Sequence, residues 1–138
     1  MRKHSSFIPV WVALLMMHLV SCAEPRQASM ANLRLTSDSE GNVPTLVYSP
    51  ADTVYTFCDL TNATSRARVE IKIRALAAEG YLPDEIIVES GYGVFSDQYF
   101  TGPYGVSWSY GPAWPVGLYE ADYFLNGTFI GGVPFSVR

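Results

Sequence analysis

A chain of 138 residues, 49 % of them hydrophobic, is long enough to bury one core and short for two domains. With 9 Lys and Arg against 13 Asp and Glu, and no basic block, it lacks the clustered cations that give affinity for phosphate backbones, so no nucleic-acid partner is expected. Acidity at this level bears on solubility more than on binding.

The first element is a targeting signal. Arg2 and Lys3 precede an apolar run over residues 7–20, which meets Ser21 and Cys22. A basic start, a short apolar stretch and a small residue before the boundary mark a secretory signal. A membrane-spanning helix needs roughly 20 apolar residues, and this run is shorter and interrupted by Pro9 and His18. Leu19-Val20-Ser21-Cys22 resembles the lipobox of bacterial lipoproteins. The resemblance implies that Cys22 carries a thioether-linked diacylglycerol, that cleavage falls before it, and that the new amine is acylated. Each buried CH₂ contributes ~0.8 kcal/mol, so several acyl chains hold a protein at a membrane without any helix. Cleavage near Ala23 without lipid is the alternative. Ala23 stands where the retention signal of enteric bacteria has Asp. The expected location is therefore the cell envelope, on the non-cytoplasmic side, and the outer membrane where the source has one.

This divides the chain into a signal peptide at 1–21, a lipidated Cys22 with a flexible tether at 22–42, and a folded domain at 43–138. The tether is expected because residues 23–42 hold few large apolar side chains and cannot offset their ordering entropy. Loss of residues 1–21 removes Arg2 and Lys3 and no acid, leaving a net charge of −6. It also removes His4 and His18, the only histidines. Without imidazole there is no Ser-His or Cys-His activation and no histidine metal site. The chain is accordingly expected not to be an enzyme and to need no metal or cofactor. Cys58, left alone if Cys22 is acylated, is expected to be a buried small hydrophobe. Were Cys22 bare, a disulfide between the two would be open to them.

From residue 43 the pattern predicts an all-β domain of short strands. Residues 45–48 form one, ended by Ser49-Pro50. Residues 53–60 form another, with Val54, Thr56, Cys58 and Leu60 on one face. Residues 66–76 alternate most clearly: Val69, Ile71, Ile73 and Ala75 oppose Arg68, Glu70, Lys72 and Arg74. The charged row reads as the solvated face of a sheet, and the strand is expected to give way to a turn at Gly80. Residues 85–89 are a further short strand. Residues 117–125, then 128–130 and 133–137, flank Asn126-Gly127, the sequence of a type I′ hairpin turn, with Tyr119, Ala121 and Tyr123 on one face and Glu120 and Asp122 on the other, exposed.

Pro115-Val116-Gly117-Leu118-Tyr119, the hairpin, and the closing Pro134-Phe135-Ser136-Val137 resemble the last two strands of immunoglobulin-like bacterial domains. The resemblance implies a single immunoglobulin-like antiparallel β-sandwich in which Tyr119 forms a tyrosine corner. Ala121 stands where antibody-type domains place their second cysteine, so the inter-sheet disulfide of that family is not expected.

Residues 92–114 hold eight aromatics among Gly and Pro. That density predicts an exposed recognition surface with Trp108, Tyr110 and Trp114 as anchors and Tyr99 and Tyr104 beside them. Packing of the same residues between the sheets is the other reading, and the one favoured. Asp97 is the one acid placed to orient a polar ligand. The expected function is a non-enzymatic module, tethered to the membrane by its N-terminal lipid, that binds an envelope protein. Binding of a glycan such as peptidoglycan, or inhibition of a hydrolase, are the alternatives.

Overall fold

The computed structural model describes residues 26–90, 93 and 98–138. Eight strands run in chain order: β1 (Ser29–Thr36), β2 (Val47–Tyr48), β3 (Val54–Ala63), β4 (Val69–Ala78), β5 (Ile86–Glu89), β6 (Phe100–Trp108), β7 (Gly117–Leu125) and β8 (Thr128–Val137). They form two sheets, ordered β1-β3-β6 and β2-β8-β7-β4-β5. All neighbours are antiparallel except β2, which lies parallel to β8.

The predicted strands are present, with β3 and β4 each running on to an alanine, Ala63 and Ala78. Alternation explains the core. Val54, Thr56, Cys58 and Leu60 of β3 are buried, as are Val69, Ile71, Ile73 and Ala75 of β4 and Tyr119, Ala121 and Tyr123 of β7. These inward faces share one cluster, which fixes the register of each strand because a one-residue slip would turn it inside out. At the tip of the last hairpin Asn126 and Gly127 take φ of 52° and 79°, the left-handed pair a type I′ turn requires.

Two expectations are corrected here. The tether predicted over residues 22–42 contains β1, paired with β3 from Ser29↔Thr61 to Thr36↔Tyr55. Leu35 and Met30 enter the core, so the low apolar content of this stretch hides a half-buried edge strand. The segment 92–114, given no strand in the sequence reading, contains β6. Gly102, Pro103 and Gly105 break its apolar alternation, yet Phe100, Tyr104, Val106 and Trp108 still share the inner side.

Two phenols tie the sheets together. Tyr123 of β7 donates to the Arg34 carbonyl of β1 at 3.0 Å, and Tyr48 of β2 donates to the Thr36 carbonyl at 2.8 Å. Burial pushes both phenols up from the ordinary tyrosine range. On the outer side of the three-stranded sheet, Phe57 is covered in a different way. Its ring lies over Gly105, where a Cβ would stand 2.3 Å from it, and beneath Gly41 and the Arg34 guanidinium. Asp38 holds the covering loop by accepting from the backbone N–H groups of Asn42 and Val43.

Candidate binding surfaces

The structure separates the five aromatic residues predicted to bind a ligand. Trp108 is 7 % exposed and Trp114 2 %, so neither anchors a recognition surface. The Trp108 indole N–H donates to Thr56 Oγ1 at 2.9 Å, and Trp114 packs edge-on against Tyr119. The density of aromatics serves packing: Tyr81, Tyr110, Trp114, Tyr119, Phe135 and Tyr48 are successive ring neighbours along the inside of one end. Tyr104 faces the core from β6, and Tyr110 is half-buried with its hydroxyl against that of Tyr81. Tyr99 alone of the five is well exposed, on the opposite end, under the Arg26 guanidinium. Asp97 lies outside the described residues, as do Cys22 and the signal residues.

Cys58 is buried and free, as its inward position on β3 requires. Desolvation raises its pKa to about 12, which keeps it a thiol and an inert one.

The outer face of the five-stranded sheet carries the densest polar chemistry. Register sets Lys72 beside Asp122 and Gly132, and Arg74 beside Glu120 and Pro134. Arg74 Nε donates to Asp122 Oδ2 at 2.7 Å, one terminal nitrogen donates to Glu120 at 2.6 Å, and the other meets Asp84. Lys72 pairs with Glu70 at 2.6 Å and lies over the Phe124 ring. This corrects the reading of Glu120 and Asp122 as exposed outward acids. Asp122 is 7 % exposed, and Oδ1 has no hydrogen-bond partner among the described residues. Gly132 makes room for it: a Cβ there would stand 2.6 Å from Glu120 Oε1 and 3.0 Å from Asp122 Oδ1. Desolvation raises the Asp122 pKa, with Glu120 adding to the effect, while the Asp122 carboxylate in turn holds Arg74 more firmly charged. An arginine occupied by three carboxylates is a rigid surface feature, with no charge to spare for an anionic ligand.

Beside this network the same face turns apolar. Leu46, Val47, Leu76, Leu118, Pro134 and Phe135 line a shallow groove of about 330 Å³ where β8 runs between β2 and β7. Leu118 is 52 % exposed, and Leu46, Val47 and Val116 are similarly open. A second hollow of about 330 Å³ continues past Leu118 to Val116. The groove was legible in part, since the alternation that turns Tyr119 inward turns Leu118 outward. Nothing local in the sequence brings Val47 alongside it, because that pairing joins β2 to β8 across most of the chain.

No protein family and no curated protein matches the sequence. Among solved structures the chain is similar to Pseudomonas fluorescens alkylpurine DNA glycosylase AlkC bound to DNA containing an abasic site analog. The likeness has a TM-score of 0.48 at 12 % identity and covers 80 % of this chain and 30 % of that one. That protein is an enzyme and is bound to DNA, so the expectations that this chain is not an enzyme and has no nucleic-acid partner are corrected and no longer stand as exclusions. At that TM-score and identity, spanning 30 % of that protein, the likeness carries no activity or ligand to this chain.

Proposed function

We propose that the protein is an envelope lipoprotein, anchored by acyl chains on Cys22, whose folded part is a protein-binding module. The anchor rests on the lipobox-like sequence. The observation that carries the binding role is the open apolar groove around Leu118 and Val47. Exposed leucines and valines gathered on a firm sheet face, rimmed by charge, are what a partner's apolar ridge covers. The loops at that end hold Asp38, Glu40, Asp52, Glu79 and Glu85 against Arg138 at the edge of the groove, which favours a partner whose rim is mostly basic. A lipid anchor confines both proteins to a thin shell, so a small interface suffices.

Within the same proposal the domain is immunoglobulin-like. Strand order supports this: β1, β3 and β6 correspond to A, B and E, and β4, β7 and β8 to C, F and G. The Tyr119 hydroxyl donates to the Pro115 carbonyl at 2.5 Å, as a tyrosine corner does. Of the five aromatics, the glycan alternative keeps only Tyr99 well exposed and loses both indoles to the core.

The test is site-specific photocrosslinking in intact cells. A crosslinker at Leu118 should give one discrete protein adduct, absent with the crosslinker at Thr101 on the other sheet. Val47→Asp should abolish the adduct while stability stays within about 0.5 kcal/mol, as for other exposed positions. No adduct at Leu118, or equal adducts at both sites, overturns the binding role. The intact mass of the native protein tests the anchor.

A further inference from the structure

The strand registers sort the charges to opposite ends of the molecule. Ser29 pairs with Thr61, Ala63 with Phe100, and Val69 with Leu125, so the start of β1, the 64–68 loop, Tyr99 and the 126–127 turn share one end. Arg68 and Asn126 join two of these loops: Asn126 N–H donates to the Arg68 carbonyl, and Arg68 N–H donates to the side-chain Oδ1 of Asn126. Exposed here are Arg26 and Arg66, with Phe129 at 54 %, Ile130 and Tyr99 beside them. Among the described residues, Lys72 pairs with Glu70 and Glu89, and Asp59 with Arg34 and Asn32. Asp38, Glu40, Asp52 and Glu79 lie about a strand length away, roughly 30 Å for nine residues, and Asp84 and Glu85, beside Ala75, about 20 Å, all past the ~8–10 Å screening length.

We infer that this end is a seat for an anionic phospholipid surface, so that the domain stands on the membrane in one orientation. The inference rests on the proposed anchor for its setting. Cys22 precedes Arg26 by four residues, which fully extended reach at most about 14 Å. Acyl chains on Cys22 thus hold Arg26 close to the headgroups. Arginines are drawn to anionic headgroups, while Phe129 and Ile130, at a hairpin tip, enter the interface. The acidic end is repelled by the same surface, and both effects turn the molecule the same way. The groove around Leu118 then faces outward.

The test uses the native protein in the form its intact mass reveals, reconstituted into vesicles of phosphatidylcholine with phosphatidylglycerol, or of phosphatidylcholine alone. Backbone hydrogen exchange is read at 64–68, 126–130 and 79–85. The expected result is slowed exchange at 64–68 and 126–130 on the anionic vesicles only, with 79–85 unchanged. Arg26→Glu with Arg66→Glu should weaken the protection at least tenfold, at roughly fivefold per charge. Phe129→Ser should weaken it while leaving the unfolding midpoint in place. Equal exchange on both vesicles, protection at 79–85 instead, or equal protection by a DNA duplex without lipid overturns the inference. A mass without acyl chains sinks the anchor alone. Flotation of that form with the anionic vesicles then decides the seat, and failure to float overturns it.

Discussion

At the residue scale, this protein places several groups where one added or removed atom is felt. Gly105 is the sharpest case. A methyl there would meet the Phe57 ring at 2.3 Å, and the ring is held by Gly41 and Arg34 above it. Gly105→Ala should lower stability by about 1–3 kcal/mol in urea unfolding, the usual cost of overpacking. Asp122 makes the second prediction, through pH. Its raised pKa means that the fold prefers the protonated acid. That contribution is fully present below the unfolded value of 3.8 and is lost as pH rises through the folded one. Asp38 and Asp59 have the opposite sign. The backbone N–H of Val43 holds the first low and the Asn32 side chain, then Arg34, the second, so their contribution is lost as pH falls below 3.8. Asp122→Asn removes only the first dependence. The stability of that variant relative to the native protein should therefore be more favourable at pH 7 than at pH 3, measured by denaturant titration at both.

At the scale of elements, β1 is the strand whose importance is least visible in sequence. Deleting Ser29–Thr36 removes Leu35 from the core, leaves β3 an open edge, and takes away the carbonyls that Tyr48 and Tyr123 reach. The shortened protein should lose its cooperative thermal transition by circular dichroism, whereas deletion of a tether would leave it unchanged. The strands that sequence does disclose are those with one buried and one polar face. Residues 66–76 and the last hairpin alternate cleanly, because their outward residues are charged or turn-forming. β1 and β6 escape for different reasons. β1 is an edge with a bulge between Ala31 and Arg34, where Asn32 takes φ of 51° and the period slips. β6 puts Gly and Pro on a sheet edge, where they are tolerated, in residues that otherwise spell turns. The binding surfaces follow the same logic. Aromatic density is a local signal and pointed to Trp108 and Trp114, which pack inward. The groove depends on β2 meeting β8, and the basic end on four segments converging, which no local pattern announces.

At the scale of the whole molecule, the two sheets meet through packing and through phenols. Tyr48 and Tyr123 each carry one hydrogen bond from the five-stranded sheet to β1. A net contribution of about 1 kcal/mol per bond makes Tyr48→Phe with Tyr123→Phe cost about 2 kcal/mol. Urea unfolding should show the loss with an unchanged slope, since one core still unites the sheets. Charge is arranged on the same axis, basic at the end where β1 begins and acidic at the other. The cross-sheet phenols have one more consequence. A closure made by phenol and carbonyl draws on no sulfur, and the one described cysteine is sealed inside where a thiol reagent does not reach it. Among the described residues, a reductant has no bond between the sheets to break.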